Sequence, residues 1–286
     1  MSTLVSVNLV GAVDQGEVGS EPYRVSRDGI PYVPVGDGGI VLGLRLGDPA
    51  DAPETDHAAP GACLVHPNLA AAHALTAQAC VGNPVEVRTG AAAGAWGAVL
   101  GQRGEGERVI IVLAPDDLER MRPGDMVAVR ACGQGAPEPV TGVTALNGAP
   151  GLLDALGITA RDDRLRVGVR GTWPSRFVGN GIGRPTPTWS LELSLPRPPD
   201  SIASPALALG DLVAVTDLDA RFNAGYRRGW LTIGTVVHGG SPLPGHGPGV
   251  TVLLTGPAER FEVDEQGEHH AGLTEERLLE VARGQL

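Results

Sequence analysis

The stretch Leu209–Pro257 reads LGDLVAVTDLDARFNAGYRRGWLTIGTVVHGGSPLPGHGPGVTVLLTGP. It holds three apolar runs, Leu212–Val215, Trp230–Val237 and Val250–Leu254, each bounded by Gly, Asp or Pro. Runs of this length, rich in β-branched residues and punctuated by turn formers, predict short buried strands. Between them crowd Asp217, Asp219, Arg221, Tyr226, Arg227, Arg228, His238 and His246. A sheet whose loops carry carboxylates, guanidiniums and imidazoles is a place where chemistry could be done.

Outward from this stretch the same pattern holds. The 286 residues include 42 Gly and 24 Pro without any period, which predicts many tight turns between short strands. Val85–Val87, Ala98–Leu100, Arg108–Leu113 and Met126–Arg130 read as strands of a small barrel. Residues 3–13, Ile40–Leu46, Ala62–Val65, Leu165–Val169 and Trp189–Leu195 are further strands. Helices are few: the Ala-rich Asn68–Ala79, one turn at Asp116–Met121, the short Ala149–Gly157, and Glu275–Arg283 capped by Thr274. Gly171–Thr188 reads as a long Gly/Pro loop, Pro196–Pro205 as a crossing between subdomains, and Glu259–Ala271 as a polar loop. The expected fold is mainly β, a β-rich α+β arrangement of several small barrel-like or sandwich subdomains with a few short helices. Three regions follow: an N-terminal β-rich region with the Ala-rich helix (1–82), a small SH3-like or KOW-like barrel (83–140), and a C-terminal β-rich region carrying the site (141–286). Gly124-Asp125-Met126-Val127-Ala128-Val129 and Gly210-Asp211-Leu212-Val213-Ala214-Val215 echo one another, as one turn solution used twice would.

Composition removes several classes of function. All 22 basic residues are arginine, so lysine chemistry of the Schiff-base or phosphate-loop kind is excluded. A net charge of −11 opposes sequence-independent binding to nucleic acid or to an anionic membrane. Cys63, Cys80 and Cys132 are odd in number and widely spaced, which predicts small core residues in a reducing, cytoplasmic setting. No secretory signal or membrane span is expected.

Pro22-Tyr23-Arg24-Val25, Arg27-Asp28-Gly29, Gly38-Gly39-Ile40, Gly47-Asp48-Pro49 and Asp56-His57 with Pro60-Gly61 belong to a wider pattern. So do Cys80–Asn83, Gly133–Gly135, Gly210–Ala214, Asp217 with Asp219, Val236–His238 and Gly245–Val250. Taken together they resemble the bacterial and archaeal family known as domain of unknown function 4438. The resemblance implies a mostly β, multi-part fold with small barrels and carries no established reaction. Gln102-Arg103-Gly104-Glu105 stands where Lys-His-Gly-Gly is typical, and Ala220 where a histidine often follows the second aspartate.

The candidate catalytic residues are Asp217, Asp219, His238 and His246. The two aspartates, spaced by two on a strand, would share a face. His238 ends an apolar run, and His246 sits among Gly245, Gly247 and Gly249, which would bare the backbone to a ligand. Arg227 with Tyr226 would clamp a carboxylate, and His57, Asn180, Gly245 and Gly247 complete the substrate-binding candidates. No organic cofactor is expected. A divalent metal on Asp217, Asp219, His238 and His246 is an alternative, since their donor atoms suit Zn²⁺, Mn²⁺ or Fe²⁺. The expected function is an enzyme acting on a small polar, carboxylate-bearing molecule by acid/base chemistry, either C–N hydrolysis or cyclisation and isomerisation. The alternatives are a metal-dependent hydrolase and a non-catalytic small-molecule binding or scaffolding protein. The partner expected is the small-molecule substrate, with homo-oligomerisation left open.

Overall fold

Alternating β-branched residues broken by glycine turns fold as short strands in the computed structural model, which describes residues 4–18, 21–50, 56–104, 106–195, 206–265 and 272–286. Strand β1 (Ser6–Val13) is followed by a hairpin of β2 (Arg24–Val25) and β3 (Pro31–Tyr32), then β4 (Ile40–Val41), β5 (Gly61–Val65) and helix α1 (Leu69–Gln78). Next come β6 (Pro84–Val87), β7 (Trp96–Arg103), β8 (Arg108–Leu113), α2 (Pro115–Arg120) and β9 (Met126–Cys132). The second half holds β10 (Thr144–Ala145), α3 (Leu152–Ala155), β11 (Thr159–Arg161), β12 (Arg164–Gly168), β13 (Gly171–Pro174), β14 (Val178–Asn180) and β15 (Leu191–Leu193). It ends with β16 (Leu212–Asp219), β17 (Gly225–His238), β18 (Gly249–Pro257), β19 (Phe261–Asp264) and α4 (Glu275–Arg283).

The first sheet runs β1-β9-β6-β7-β8-β5-β4, and β1 also pairs with β5, so six strands close into a barrel. Closure removes the exposed sheet edges that would otherwise template aggregation. Its interior is aliphatic: Leu64, Val85, Val87, Val99, Ile111, Val127 and Val129 are all buried, and Leu75 of α1 packs with them. The second sheet runs β13-β16-β17-β18-β15-β14, with β10 added to β18. The three apolar runs of the opening stretch are its central strands, β16 to β18. One hydrophobic cluster joins both sheets, uniting Leu100 and Ile110 with Ile233, Val237 and Leu253, and α4 adds Leu278 and Ala282. Polar groups cross the same seam, where Gln102 N donates to Thr251 Oγ1 at 3.3 Å.

The mainly β architecture agrees with the expectation. The echoed Gly-Asp motif is one turn used twice. Gly124 and Gly210 adopt φ of 90° and 92°, and each following aspartate accepts a 2.8 Å bond from the backbone N–H three residues earlier, Arg122 or Ala208. Other expectations need correction. Strands of the 1–82 and 83–140 regions share one sheet, so the 82/83 boundary runs through the barrel. Gly171–Thr188 is not a plain loop: it contains β13, a 3-10 turn at Ser175–Phe177 and β14. The buried indole of Trp173 packs with Val213 and Val215, which seats this Gly/Pro-rich segment beside β16. Ile40–Leu46 shortens to two residues, and Glu259–Ala271 begins with a 3-10 turn and β19. The proline-rich 196–205 and residues 266–271 lie outside the described residues.

Candidate functional site

Strand register lays one row of side chains across the second sheet. His238 on β17 pairs with Gly249 on β18, Gly249 pairs with Glu192 on β15, and Glu192 pairs with Asn180 on β14. The missing side chain in this row matters, because a Cβ on Gly249 would sit 1.8 Å from His238 Nε2. Glycine there gives the imidazole its space. Asn180 Nδ2 donates to Glu192 Oε1 at 2.9 Å and fixes the carboxylate, leaving Oε2 to face the loop before β18. That loop returns His246, whose Nδ1 lies 2.9 Å from Oε2, and Gly247 N donates to the same oxygen at 3.2 Å.

The third imidazole comes from the other half of the chain. His57 N donates to Gly240 O at 2.9 Å, and Gly239 N donates to Ala58 O at 2.7 Å. These bonds hold His57 at φ 57°, a left-handed conformation that costs an L-residue roughly 1 kcal/mol or more. Strain of this kind, held by flanking bonds, places His57 Nε2 at 3.1 Å from both Glu192 Oε2 and His246 Nδ1. The three ligand-type atoms thus form a small triangle, with His57 and Glu192 buried and His246 partly open to solvent.

Behind the triangle stands a shell of charge. His57 Nδ1 makes a close, angled contact of 2.6 Å with Asp56 Oδ1. Asp56 Oδ2 accepts from Arg24 Nη1 at 2.6 Å and from the Tyr32 hydroxyl at 2.8 Å. Arg24 also pairs with Asp37 at 2.9 Å, and Asp37 in turn binds the buried Arg103. Beyond it Arg108 pairs with Asp14 at 2.5 Å. Burial opposes charge on His57, but Asp56 and Glu192 outweigh it and raise its pKa to about 9 in the metal-free protein. Burial likewise works against the Glu192 and Asp56 carboxylates. The imidazoles of His246 and His57 nevertheless hold Glu192 far below the usual carboxylate range, and His57, Ser241 and Tyr32 do the same for Asp56. Burial and the Asp56 charge push Tyr32 up to about 12. His238 is different: burial lowers it to about 4, and it stays neutral with Nδ1 donating to Gly239 O at 2.9 Å and Nε2 lying 3.4 Å from Ser190 Oγ.

Of the residues expected from sequence, His57, His238, His246, Asn180, Gly245 and Gly247 gather here. Asp217, Asp219, Tyr226 and Arg227 do not. They stand at the far end of the β16–β17 ribbon, where Gly229, Arg227, Tyr226 and Gly225 lie roughly nine to thirteen residues of extended chain from His238, or ~30–40 Å. The aspartates also fail to share a face, because Asp217 is a bulge residue at φ 57° whose carboxylate accepts from Gly229 N. Asp219 is spent on Arg221 and Arg227, both of which stack on Trp230. The space beside Gly247 is not left for a ligand either, since a Cβ there would meet Leu193 O at 1.9 Å. Sequence reasoning missed Glu192. Its signal was a single acid inside the alternating strand Trp189–Leu195, where a charge on a buried strand needs a buried partner.

Two family models match the chain: domain of unknown function 4438, N-terminal, over residues 23–154, and its C-terminal counterpart over 155–273. The chain belongs to the DUF4438 family. A solved structure entitled "Crystal structure of TM1086" is similar at 31% identity with a TM-score of 0.88, covering 94% of this chain and 95% of that one. Comparison with curated proteins gave no match. The two family halves meet in the triangle, for His57 lies in the first and Glu192 and His246 in the second. Among the described residues no helix is long and apolar enough to cross a membrane.

Proposed function

We propose that this DUF4438 protein is a metal-dependent hydrolase acting on a small, polar, carboxylate-bearing molecule at a mononuclear centre held by His57, His246 and Glu192. The observation that carries the reading is the triangle, with edges of 3.1, 3.1 and 2.9 Å. Three donors about 2.1 Å from one cation lie ~3.0 Å apart on an octahedral face and ~3.4 Å apart on a tetrahedron. The edges fit the octahedral face, which leaves the opposite side for water and substrate. Protons alone fill this triangle badly. Two ring nitrogens and a carboxylate oxygen in mutual contact accommodate at most two N–H groups, and those would oppose each other across 3.1 Å. The Asp56 contact at Nδ1 leaves Nε2 of His57 as the ligand atom, and a carboxylate behind a ligating histidine sharpens its basicity.

A cation bound here would supply Lewis acidity and lower the pKa of a coordinated water toward neutrality. Metal-free acid/base catalysis is less well supported. His57 stays protonated and Glu192 stays ionised at neutral pH, so neither exchanges a proton readily. At the rim, the Arg27 guanidinium reaches within 3.4 Å of His246 O and replaces Arg227 as the anchor for a substrate carboxylate. A second reading rests on the same spacing, since two histidines and one carboxylate on an octahedral face also suit non-haem Fe²⁺ oxygen chemistry. Three unpaired cysteines fit a reducing, cytoplasmic setting. The test is calorimetry on chelator-stripped protein made without a histidine tag, titrated with Zn²⁺, Mn²⁺ and, anaerobically, Fe²⁺. One saturable equivalent in the wild type that disappears in Glu192→Gln is expected. No saturable binding of any of the three would sink the centre, and retention of binding by Glu192→Gln would move it elsewhere. Preference for Fe²⁺ over the other two would favour the second reading.

A further inference from the structure

The β2–β3 hairpin is amphipathic in the wrong direction. Arg24 and Tyr32 face each other across the strands and both point inward, where they grip Asp56. Val25 and Pro31, the next cross-strand pair, lie on the opposite face, and alternation adds the flanking Tyr23 and Val33, while Ile30 follows the turn and Val35 lies beyond the ladder. Tyr23, Val25, Ile30, Val33 and Val35 are each about half exposed or more, between 48% and 62%. A two-stranded ribbon that packs its polar face inward and turns its apolar face to water has reversed the usual arrangement, and such a ribbon is marginal on its own.

We infer that this face is the contact between two copies of the chain, related by a two-fold axis that seats one hairpin against the other. Area supports a second copy as the occupant. The five side chains offer on the order of 500 Å² of apolar surface, while a stable dimer buries ~800 Å² per partner, a little over half of it apolar. Charge supports it too. The chain carries −11 overall, so two copies repel almost everywhere, yet residues 22–35 hold Arg24, Arg27 and a single acid, Asp28. The face itself is uncharged, so two copies meet there without the like-charge repulsion they meet elsewhere. The contact is face to face, not edge to edge. Pro31 in β3 and Pro34 just beyond lack the N–H groups that strand addition would need. Such a dimer also clamps the strap that holds Asp56, and through it His57, against the site.

Sedimentation velocity on the full chain reads the result directly. The wild type is expected at twice the 29.4 kDa chain mass. Val25→Glu and Ile30→Asp each place like charges in contact twice across the axis, and each is expected to raise the dissociation constant at least 100-fold and yield the single-chain mass. Unchanged far-ultraviolet dichroism separates dissociation from unfolding. Should Val25→Glu fail to fold, the turn variant Ile30→Asp, which lies outside the ladder, carries the test. A wild type that sediments as one chain at high concentration overturns the inference, as does a folded variant that remains dimeric. Dimerisation and metal binding are read in separate experiments, so either reading can fail alone.

Discussion

Replacing Asp56 by asparagine tests the metal reading at a residue that touches no metal. Asp56 is fully buried and collects His57 Nδ1 at 2.6 Å, Arg24 Nη1 at 2.6 Å and Tyr32 Oη at 2.8 Å. An amide keeps the shape and removes the charge, and it must turn an NH₂ group toward partners that are themselves donors. If that NH₂ faces His57 Nδ1, the imidazole shifts its proton to Nε2 and loses the lone pair aimed at Glu192 and His246. Removing a carboxylate behind a ligating histidine costs typically 10–100-fold in metal affinity, or about 1.4–2.8 kcal/mol of binding. An unsatisfied buried donor adds ~1–3 kcal/mol of lost folding stability, which is measured separately. The assay is competition between the protein and a chromophoric chelator for Zn²⁺ at pH 7.5. The expected result is a dissociation constant raised about 10–100-fold with stoichiometry still at one. Affinity within about threefold of wild type in a folded variant would refute the reasoning, because the Asp56–His57 contact would then do nothing for the ligand.

Other outcomes follow from the same geometry. His246→Ala should abolish stoichiometric metal binding while moving the metal-free melting temperature by no more than a few degrees, since its side chain is partly exposed on a loop; a large melting loss with binding intact would make it structural. Gly249→Ala drives a methyl into the His238 ring and should destabilise by about 1–3 kcal/mol or more in denaturant titrations; an unchanged midpoint would show that the ring has another place to go. Asp219→Asn, at the far end of the ribbon, should leave metal affinity unchanged and cost about 1 kcal/mol or less, and a loss of binding there would restore the discarded aspartate site. Asp37 faces burial that alone would raise its pKa, yet Arg103 and Arg24 hold it below the ordinary value. Its contribution is therefore fully present above about pH 4 and lost as pH falls through the lower folded value, so acid unfolding of Asp37→Asn should show a shallower dependence below about pH 4 than the wild type.

The fold was legible where local chemistry is decisive. Strands β16 to β18, the Asn68 cap of α1 and the Thr274 cap of α4 all stand where spacing and capping residues put them. What failed was any inference that needed the geometry of a chain to stay regular. The Asp217–Asp219 pair reads as one face only if the strand is unbroken, and the Asp217 bulge breaks it. His57 was placed among the substrate-binding residues but not among the metal ligands, because its approach to Glu192 and His246 depends on three backbone bonds linking residues 50–58 to 239–240, some 180–190 positions away. Glu192 was hidden by its setting: between Leu191 and Leu193 it looked like the polar side of a half-exposed strand, whereas both faces are buried.

The failures at His57 and Glu192 share one cause. The triangle belongs to neither half of the chain. The connection from β4 to β5 of the closed barrel presents His57, held by Gly240; the second sheet presents Glu192, aligned by its cross-strand neighbour Asn180; the loop into β18 presents His246. A side-chain cluster at a junction of this kind can be polar without unfolding either unit, because each unit has its own aliphatic core and the shared cluster of Leu100, Ile233 and Leu253 closes the seam beneath. It would also couple the proposed metal binding to the docking of the halves. A cation bound by His57 from one side and by Glu192 and His246 from the other binds only the docked form, and so stabilises the seam by its own binding free energy. Thermal unfolding followed by calorimetry should then show the transition moving up with Zn²⁺ concentration in the wild type and standing still in Glu192→Gln. A wild-type transition that ignored the metal, in protein already shown to bind one equivalent, would place that ion outside the seam and leave the triangle a purely structural cluster.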